Sequence, residues 1–416
     1  TMKRTTGKIF ALTALSSLLL LASACGQSSG QSPSGSAGGS EPAGGNASYT
    51  DTYDPDALFQ YGMTPAKDSE TGKYGYKNPQ GTWVIEPQYT FARDFQVNGT
   101  AFVRTGSNSD EFRLIDREGN FVSDYIFMRF FDELAFSANG IAVGTVCEAD
   151  GTKLGTGYFY LEDGEIVFEP REEESFTAFS DDGYAVVDNK AVINDQFEYV
   201  IEPQEDYYLV QVSNGMVSFD FKNTPKGYSE YGYMDVEGNI VIRGLSSRGG
   251  PFADNGIAVV ENQLIDKSGN VVFDIADSHY STITSNFNNT DWVEVSSHLS
   301  SRGGTDFNFI NAEGETFFPT DAYEHSHMDG SLAIKNGVYV GPAPVLKDDQ
   351  GNITGIGGTE DYATVAVNED MEILYVPYDK GIQDVSAYYS DGYAKAETQD
   401  EQRVIVDLEG NIVMEY

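Results

Sequence analysis

The densest set of side chains able to bind a metal lies around residues 321–329. His325 and His327 stand two apart, with Asp321, Glu324 and Asp329 beside them. On a strand, alternate residues share a face, so both imidazoles would reach one ion, as zinc requires of nitrogen ligands. The same spacing also suits exposed loop histidines, and the expectation is a chain with no bound metal and no cofactor. His279 and His298 are the other two histidines. Cys147 ends the run Val143-Gly-Thr-Val-Cys147, more than a hundred residues upstream of every histidine, with no Cys-nucleophile signature around it. It reads as a small buried apolar group. No nucleophile elbow, His-Glu-x-x-His helix or phosphate loop is present. The turn Lys347-Asp-Asp-Gln-Gly-Asn352 is rich in oxygen ligands but lacks EF-hand spacing, so it reads as a hairpin turn. With 65 acidic residues, chance carboxylate pairs are certain, and a carboxylate-dependent cell-envelope hydrolase stays as an alternative. The expectation is that the chain is not an enzyme.

The elements that would hold any such site recur. Tyr231-Gly-Tyr-Met-Asp-Val-Glu-Gly-Asn-Ile-Val-Ile242 and Tyr74-Gly-Tyr-Lys-Asn-Pro-Gln-Gly-Thr-Trp-Val-Ile-Glu-Pro87 each read as strand, tight turn, strand. Further copies begin at Phe112, Tyr158, Ala191, Gln263, Phe307, Thr364 and Arg403. Their turn glycines are Gly81, Gly119, Gly164, Gly238, Gly269, Gly314 and Gly410, placed where a hairpin needs positive φ. The flanks alternate or run fully apolar, as half-buried and buried strands do.

A third element follows each hairpin. Asn98-Gly-Thr-Ala-Phe-Val103 and Asn255-Gly-Ile-Ala-Val-Val260 set the pattern, and copies begin at Asn139, Asp182, Asn214, Asp329 and Asp391, with a weaker one at Thr290. A Phe often lies just upstream: Phe95, Phe131, Phe179, Phe252 and Phe287. These read as core plugs, and Trp83 and Trp292 as core strand residues.

The order aromatic-Gly-Tyr, Asp, turn Gly, Val-Ile-x-Pro, Phe, then Asn/Asp-Gly-x-Ala-x-Val resembles the bacterial WG β-repeat. Tyr74-Gly75 and Tyr231-Gly232 stand where that family has Trp-Gly, and Val84-Ile-Glu-Pro87 carries its proline piece. The resemblance runs over roughly residues 60 to 416. It implies a non-catalytic module.

At the front, Lys3, Arg4 and Lys8 precede an apolar run from Ile9 to Leu21, and Leu21-Ala-Ser-Ala-Cys25 resembles a bacterial lipobox. The run is shorter than the about 20 residues a spanning helix needs. The expected layout is a lipoprotein signal peptide over 1–24, then over 25–55 a lipidated Cys25 and a flexible Gly/Ser-rich tether, and a WG-type β-repeat domain of about eight or nine repeats over 56–416. Net charge is −40, and −43 once three basic residues leave with the signal. Such a surface repels nucleic acid and anionic headgroups and attracts cations or basic peptides.

With 26 Tyr, 25 Phe and 44 Gly, composition favours strands and turns. The expected fold is all-β: tandem three-stranded β-repeats closed into a propeller-like toroid, with an open β-solenoid as the alternative. Residues 337–361 read as an inserted loop. The expected role is a lipoprotein on the extracytoplasmic face of a Gram-positive cell membrane, binding a protein, peptide or envelope glycan. The other alternative is a structural spacer that binds nothing.

Overall fold

The computed structural model describes residues 52–108, 110–130, 134–173, 175–222, 230–287, 290–299, 304–318, 324–325, 334–357 and 361–416. Among these, strands form nine antiparallel sheets of three to five strands, in chain order. The first contains Thr64–Lys67, Tyr74–Lys77 and Trp83–Tyr89, and the second Phe91–Ala92, Ala101–Arg104 and Arg113–Ile115. The third contains Ile126–Met128, Ile141–Cys147, Lys153–Glu162 and Glu165–Pro170. Tyr184–Val187, Ala191–Asn194 and Tyr199–Ile201 make the fourth; Tyr207–Ser213, Met216–Phe221, Glu230–Asp235 and Ile240–Leu245 make the fifth. The sixth is Ile257–Val260, Gln263–Asp266 and Val271–Asp274, and the seventh Thr282–Ile283, Val293–Leu299, Gly304–Ile310 and Glu324–His325. The eighth holds Ile334–Lys335, Val338–Lys347, Ile353–Ile356, Tyr362–Asn368 and Ile373–Tyr375, and the ninth Ile382–Val385, Ala394–Thr398, Arg403–Val406 and Ile412–Glu415. Two short 3-10 turns, Ile275–Asp277 and Pro377–Lys380, are the only helical pieces among the described residues.

Each sheet buries both faces, which explains the fully apolar strands. Ala101 and Val103 face the first sheet, while Phe102 between them packs against Phe127, Phe136 and Phe159 of the third. Val186 and its neighbours Ala185 and Val187 divide in the same way. One apolar cluster lies between every pair of consecutive sheets. The last joins Tyr393, Ile405 and Met414 of the ninth sheet to Leu58, Phe59 and Ala66 at the first. Asp391 accepts from the backbone N–H groups of Leu58 and Phe59 at 3.1 and 3.0 Å, and the Ser390 N–H donates to Asp56 O at 2.8 Å. These contacts close the array into a propeller-like ring of nine blades, and the open solenoid is set aside.

Two expectations change. The Asn-Gly strand belongs to the blade that follows the hairpin it trails in sequence: Ala101–Arg104 pairs with Arg113–Ile115, and Ile257–Val260 with Gln263–Asp266. The sequence phrase therefore runs across two blades and ties them together. Residues 338–347, read as an inserted loop, form a central strand of the eighth blade opened by the turn Asn336-Gly337, and only the hairpin Leu346 to Ile356 extends beyond it. Their apolar run buries on both sides like every other central strand.

The close approach inside the hairpins explains the x-Gly-Tyr signature. A Cβ on Gly232 would sit 2.2 Å from the Ile242 carbonyl oxygen, and on Gly75 2.3 Å from that of Ile85. Gly157, before Tyr158, occupies the same position. The tyrosine after each such glycine latches the next blade. Tyr76 donates to Arg93 O at 2.7 Å, Tyr158 to Thr177 O at 2.8 Å and Tyr233 to Gly250 O at 2.6 Å, each against a plug phenylalanine: Phe95, Phe179 or Phe252. Burial raises all three phenols above their ordinary value, so they remain neutral donors.

Candidate functional site

Strand direction gathers the turns at one end of the ring. Each Asn-Gly turn leads into a strand that runs away from it, the next strand returns, and the hairpin turn then stands beside the Asn-Gly turn. Side-chain contacts agree: the Arg117 guanidinium, on a hairpin turn, lies over the Tyr61 ring at 4.9 Å, and a Cβ on Gly183 would meet Asn139 and Asp195. This turn-bearing end is the candidate site.

Its hairpins are made rigid by their own acids. The Asp266 Oδ1 accepts from the N–H groups of Ser268 and Asn270, both at 2.9 Å, and Asp266 Oδ2 takes the Asn270 side-chain amide at 2.9 Å. Hydrogen bonds from Asn270, side chain first and then backbone, hold the Asp266 carboxyl below the ordinary 3.8. Asp116, Asp235 and Asp407 repeat the pattern at this end, and Asp348 repeats it at the opposite end, on the hairpin that extends the eighth blade's central strand. The 347–352 turn is thus a hairpin of the same build.

The Asn-Gly turns are linked from blade to blade. Tyr61 donates to Val97 O at 2.8 Å, Asp182 accepts from the Gly215 N–H, and the Asn214 amide donates to Phe252 O at 2.9 Å. The Asn336 amide donates to Tyr388 O at 2.8 Å, and Asp391 takes Leu58 and Phe59. Burial raises the Asp391 carboxyl above its ordinary value, against the lowering effect of those N–H groups. Tyr61-Gly62, with φ of 51° and 74°, is the first blade's counterpart of Asn-Gly, and Leu58 fills its plug position. Sequence reasoning missed both, because a tyrosine stands where asparagine was sought.

Several concavities open on this end, among them two of about 380 and 410 Å3. One, of about 380 Å3, is lined by Asp56, Asp181, Asp254, Asp291, Glu369 and Trp292, among others. Lys335 pairs with Asp56 there at 3.3 Å. Residues 52–55, read as the end of the tether, already pack on the ring here, with Pro55 in the same lining and the Tyr61 N–H donating to Thr52 O. The second, of about 410 Å3, lies between the second, third and fourth blades and is lined by Asn98, Asn139, Tyr160, Asp195 and Gln196 over Val97, Ala138, Ile141 and Leu161.

The residues singled out earlier scatter. Cys25 and His327 lie outside the described residues, as does Phe131. His325 sits in the two-residue strand Glu324–His325, paired with Thr305. Among the described residues no group of three metal-ligating side chains forms. Cys147 is buried and its thiol is raised by burial, as a core residue's would be. Phe95, Phe179, Phe252 and Phe287 are buried plugs, and Phe136 fills that role in the third blade. Trp292 is half-buried against Phe317 and also reaches the acidic concavity.

Two segments, residues 74–108 and 231–263, match the model of the WG containing repeat. Both run from a hairpin into the first strands of the next blade. The match supports reading the chain as a protein built of WG-type repeats. No curated protein matches the chain. Among solved structures, a crystal structure of a eukaryotic initiation factor aligns at 11% identity and TM-score 0.48, covering 84% of this chain and 93% of that one. BamB from Moraxella catarrhalis aligns at 12% identity and TM-score 0.31, covering 70% and 84%. An oligogalacturonate lyase in complex with manganese aligns at 11% identity and TM-score 0.29, covering 84% and 82%.

Proposed function

We propose that this chain is a non-catalytic interaction module, held at the extracytoplasmic face of a Gram-positive cell membrane by a lipid on Cys25. Its turn-bearing end binds a protein, peptide or envelope glycan. The observation that carries this reading is the gathering of the Asn-Gly and hairpin turns of successive blades at one end. Repeat arrays use such a surface to present many side chains at once without one converging reactive set. The anchor rests on Lys3, Arg4, the apolar run and Leu21-Ala-Ser-Ala-Cys25.

Two experiments test it. In cell fractionation, Cys25→Ala is expected to move the protein from the membrane to the soluble fraction; a variant that stays on the membrane contradicts the anchor. In affinity capture from the cell envelope, the full chain is expected to retain a partner that is lost when Asp181, Asp254 and Asp291 are together changed to Asn. Capture no different from an unrelated acidic protein would leave a spacer.

A further inference from the structure

The ring is not uniform at its Asn-Gly turns. In the first, fourth, fifth, eighth and ninth blades the side chain at the turn reaches the next blade. In the second and third blades, and in the sixth and seventh, it bonds within its own turn or makes no bond among the described residues. The Asn98 Oδ1 accepts from Thr100 N and Oγ1 at 3.2 and 2.7 Å, but its Nδ2 is buried without a partner. Asn139 is exposed and its amide has no partner among the described residues. Beside Asn98 and Asn139 a cleft of about 410 Å3 opens.

We propose that this cleft binds a neutral saccharide, an inference that rests on the interaction-module reading and assigns its ligand class. The lining is two-sided in the way a sugar ring demands. The exposed Asn139 amide supplies a donor and an acceptor, and Asp195 and Gln196 complete a polar rim. Hydroxyl groups both donate and accept, so they satisfy amides and a carboxylate together. Val97, Ile141, Leu161 and the Tyr160 ring form an apolar wall for the C–H face of a pyranose. Tyr160 is backed by Phe197 at 6.1 Å, which fixes its plane.

The test is saturation-transfer NMR followed by titration of the full chain with glucose, N-acetylglucosamine, cellobiose and chitobiose, alongside an uncharged blocked tetrapeptide. Asn139→Ala removes one amide without touching any hydrogen bond among the described residues, and Gln196→Ala removes a rim amide whose one bond is to the neighbouring Asp195 on the same exposed turn. The expected result is binding of at least one sugar, weakened about 10-fold by either substitution and abolished by both together. Three results would overturn the assignment: no sugar signal, a sugar bound equally by the double variant, or preference for the tetrapeptide. Envelope capture that persists in the double variant would then leave the interaction module standing without this ligand.

Discussion

The arc from the fourth to the sixth blade and the arc from the second to the fourth are built from the same phrase and solve the same packing problem, yet they end differently. In the former, Asp182 and Asn214 spend their polar atoms on the neighbouring turns. In the latter, Asn98 and Asn139 stop short; the Arg93 guanidinium donates to Leu134 O and Gln96 accepts from the Phe136 N–H, and beneath them Phe102 meets Phe112, Phe127, Phe136 and Phe159 within 6.4 Å. Both seams keep a concavity at the turn-bearing end, one of about 300 Å3 beside Asp182 and Asn214 and one of about 410 Å3 beside Asn98 and Asn139. The comparison teaches that the interlocked cores make the ring, while the turn side chains add a second tie between some blades and not others.

The predictions probe that division. The largest effect is expected beneath Asn98 and Asn139. Phe102→Ala leaves a cavity among four rings and should cost about 3–5 kcal/mol in urea unfolding; a loss below about 1 kcal/mol would mean that the aromatic seam does not hold these blades. Gly232→Ala drives a Cβ into the Ile242 carbonyl and should cost about 1–3 kcal/mol, since backbone must move. The third compares the arcs directly. Asn214→Asp keeps a residue tolerant of its φ of 49° but loses the donor to Phe252 O and faces Asp254, for about 1–2 kcal/mol. Asn139→Asp in the other arc should change stability by less than about 0.5 kcal/mol. Equal effects would erase the distinction.

The smallest effect is a matter of pH. Asp266 has a folded pKa below 3.8, so its contribution is present above that value and is lost as pH falls through the folded pKa. Asp391 has the opposite sign: its folded pKa is raised, so it favours the folded state most when protonated, and stability falls as pH rises from 3.8 through the folded value. Asp266→Asn should flatten the acid limb below 3.8, and Asp391→Asn the shallow decline above it. Stability-against-pH profiles that match wild type for both variants would contradict the assignment.

Much of the fold was legible because its periodicities are local. Hairpins announced themselves through Gly238, Gly269 and Gly410, and the plugs through Phe95, Phe179 and Phe252. The blade boundary was not legible. An apolar run such as Ile257–Val260 says that a strand is buried on both sides, but not with which hairpin it pairs. Where the turn residue changed, the signal weakened or vanished: Tyr61-Gly62 replaces Asn-Gly and was missed, while the hairpins at Phe197 and Met371, which take φ of 61° without glycine, were legible only from their flanking strands. Both are packed into adjoining clusters, which offsets the backbone strain. Asn98 and Asn139 look like every other Asn-Gly, because sequence does not show where an amide stops. The pair His325 and His327 offered chemistry by spacing alone, and His327 lies outside the described residues.

Closure of the ring is the claim on which the rest stands. It is tested most directly by a spin-label distance between Val84→Cys and Ile412→Cys, on a chain whose Cys25 and Cys147 are replaced by Ala. Both sites are about half exposed, at 49% and 51%, on the outer strands of the first and ninth blades. A closed ring predicts the separation of adjoining sheets, about 10 Å plus the label arms. A separation near eight such intervals, roughly 80 Å, would show an open array and contradict the account.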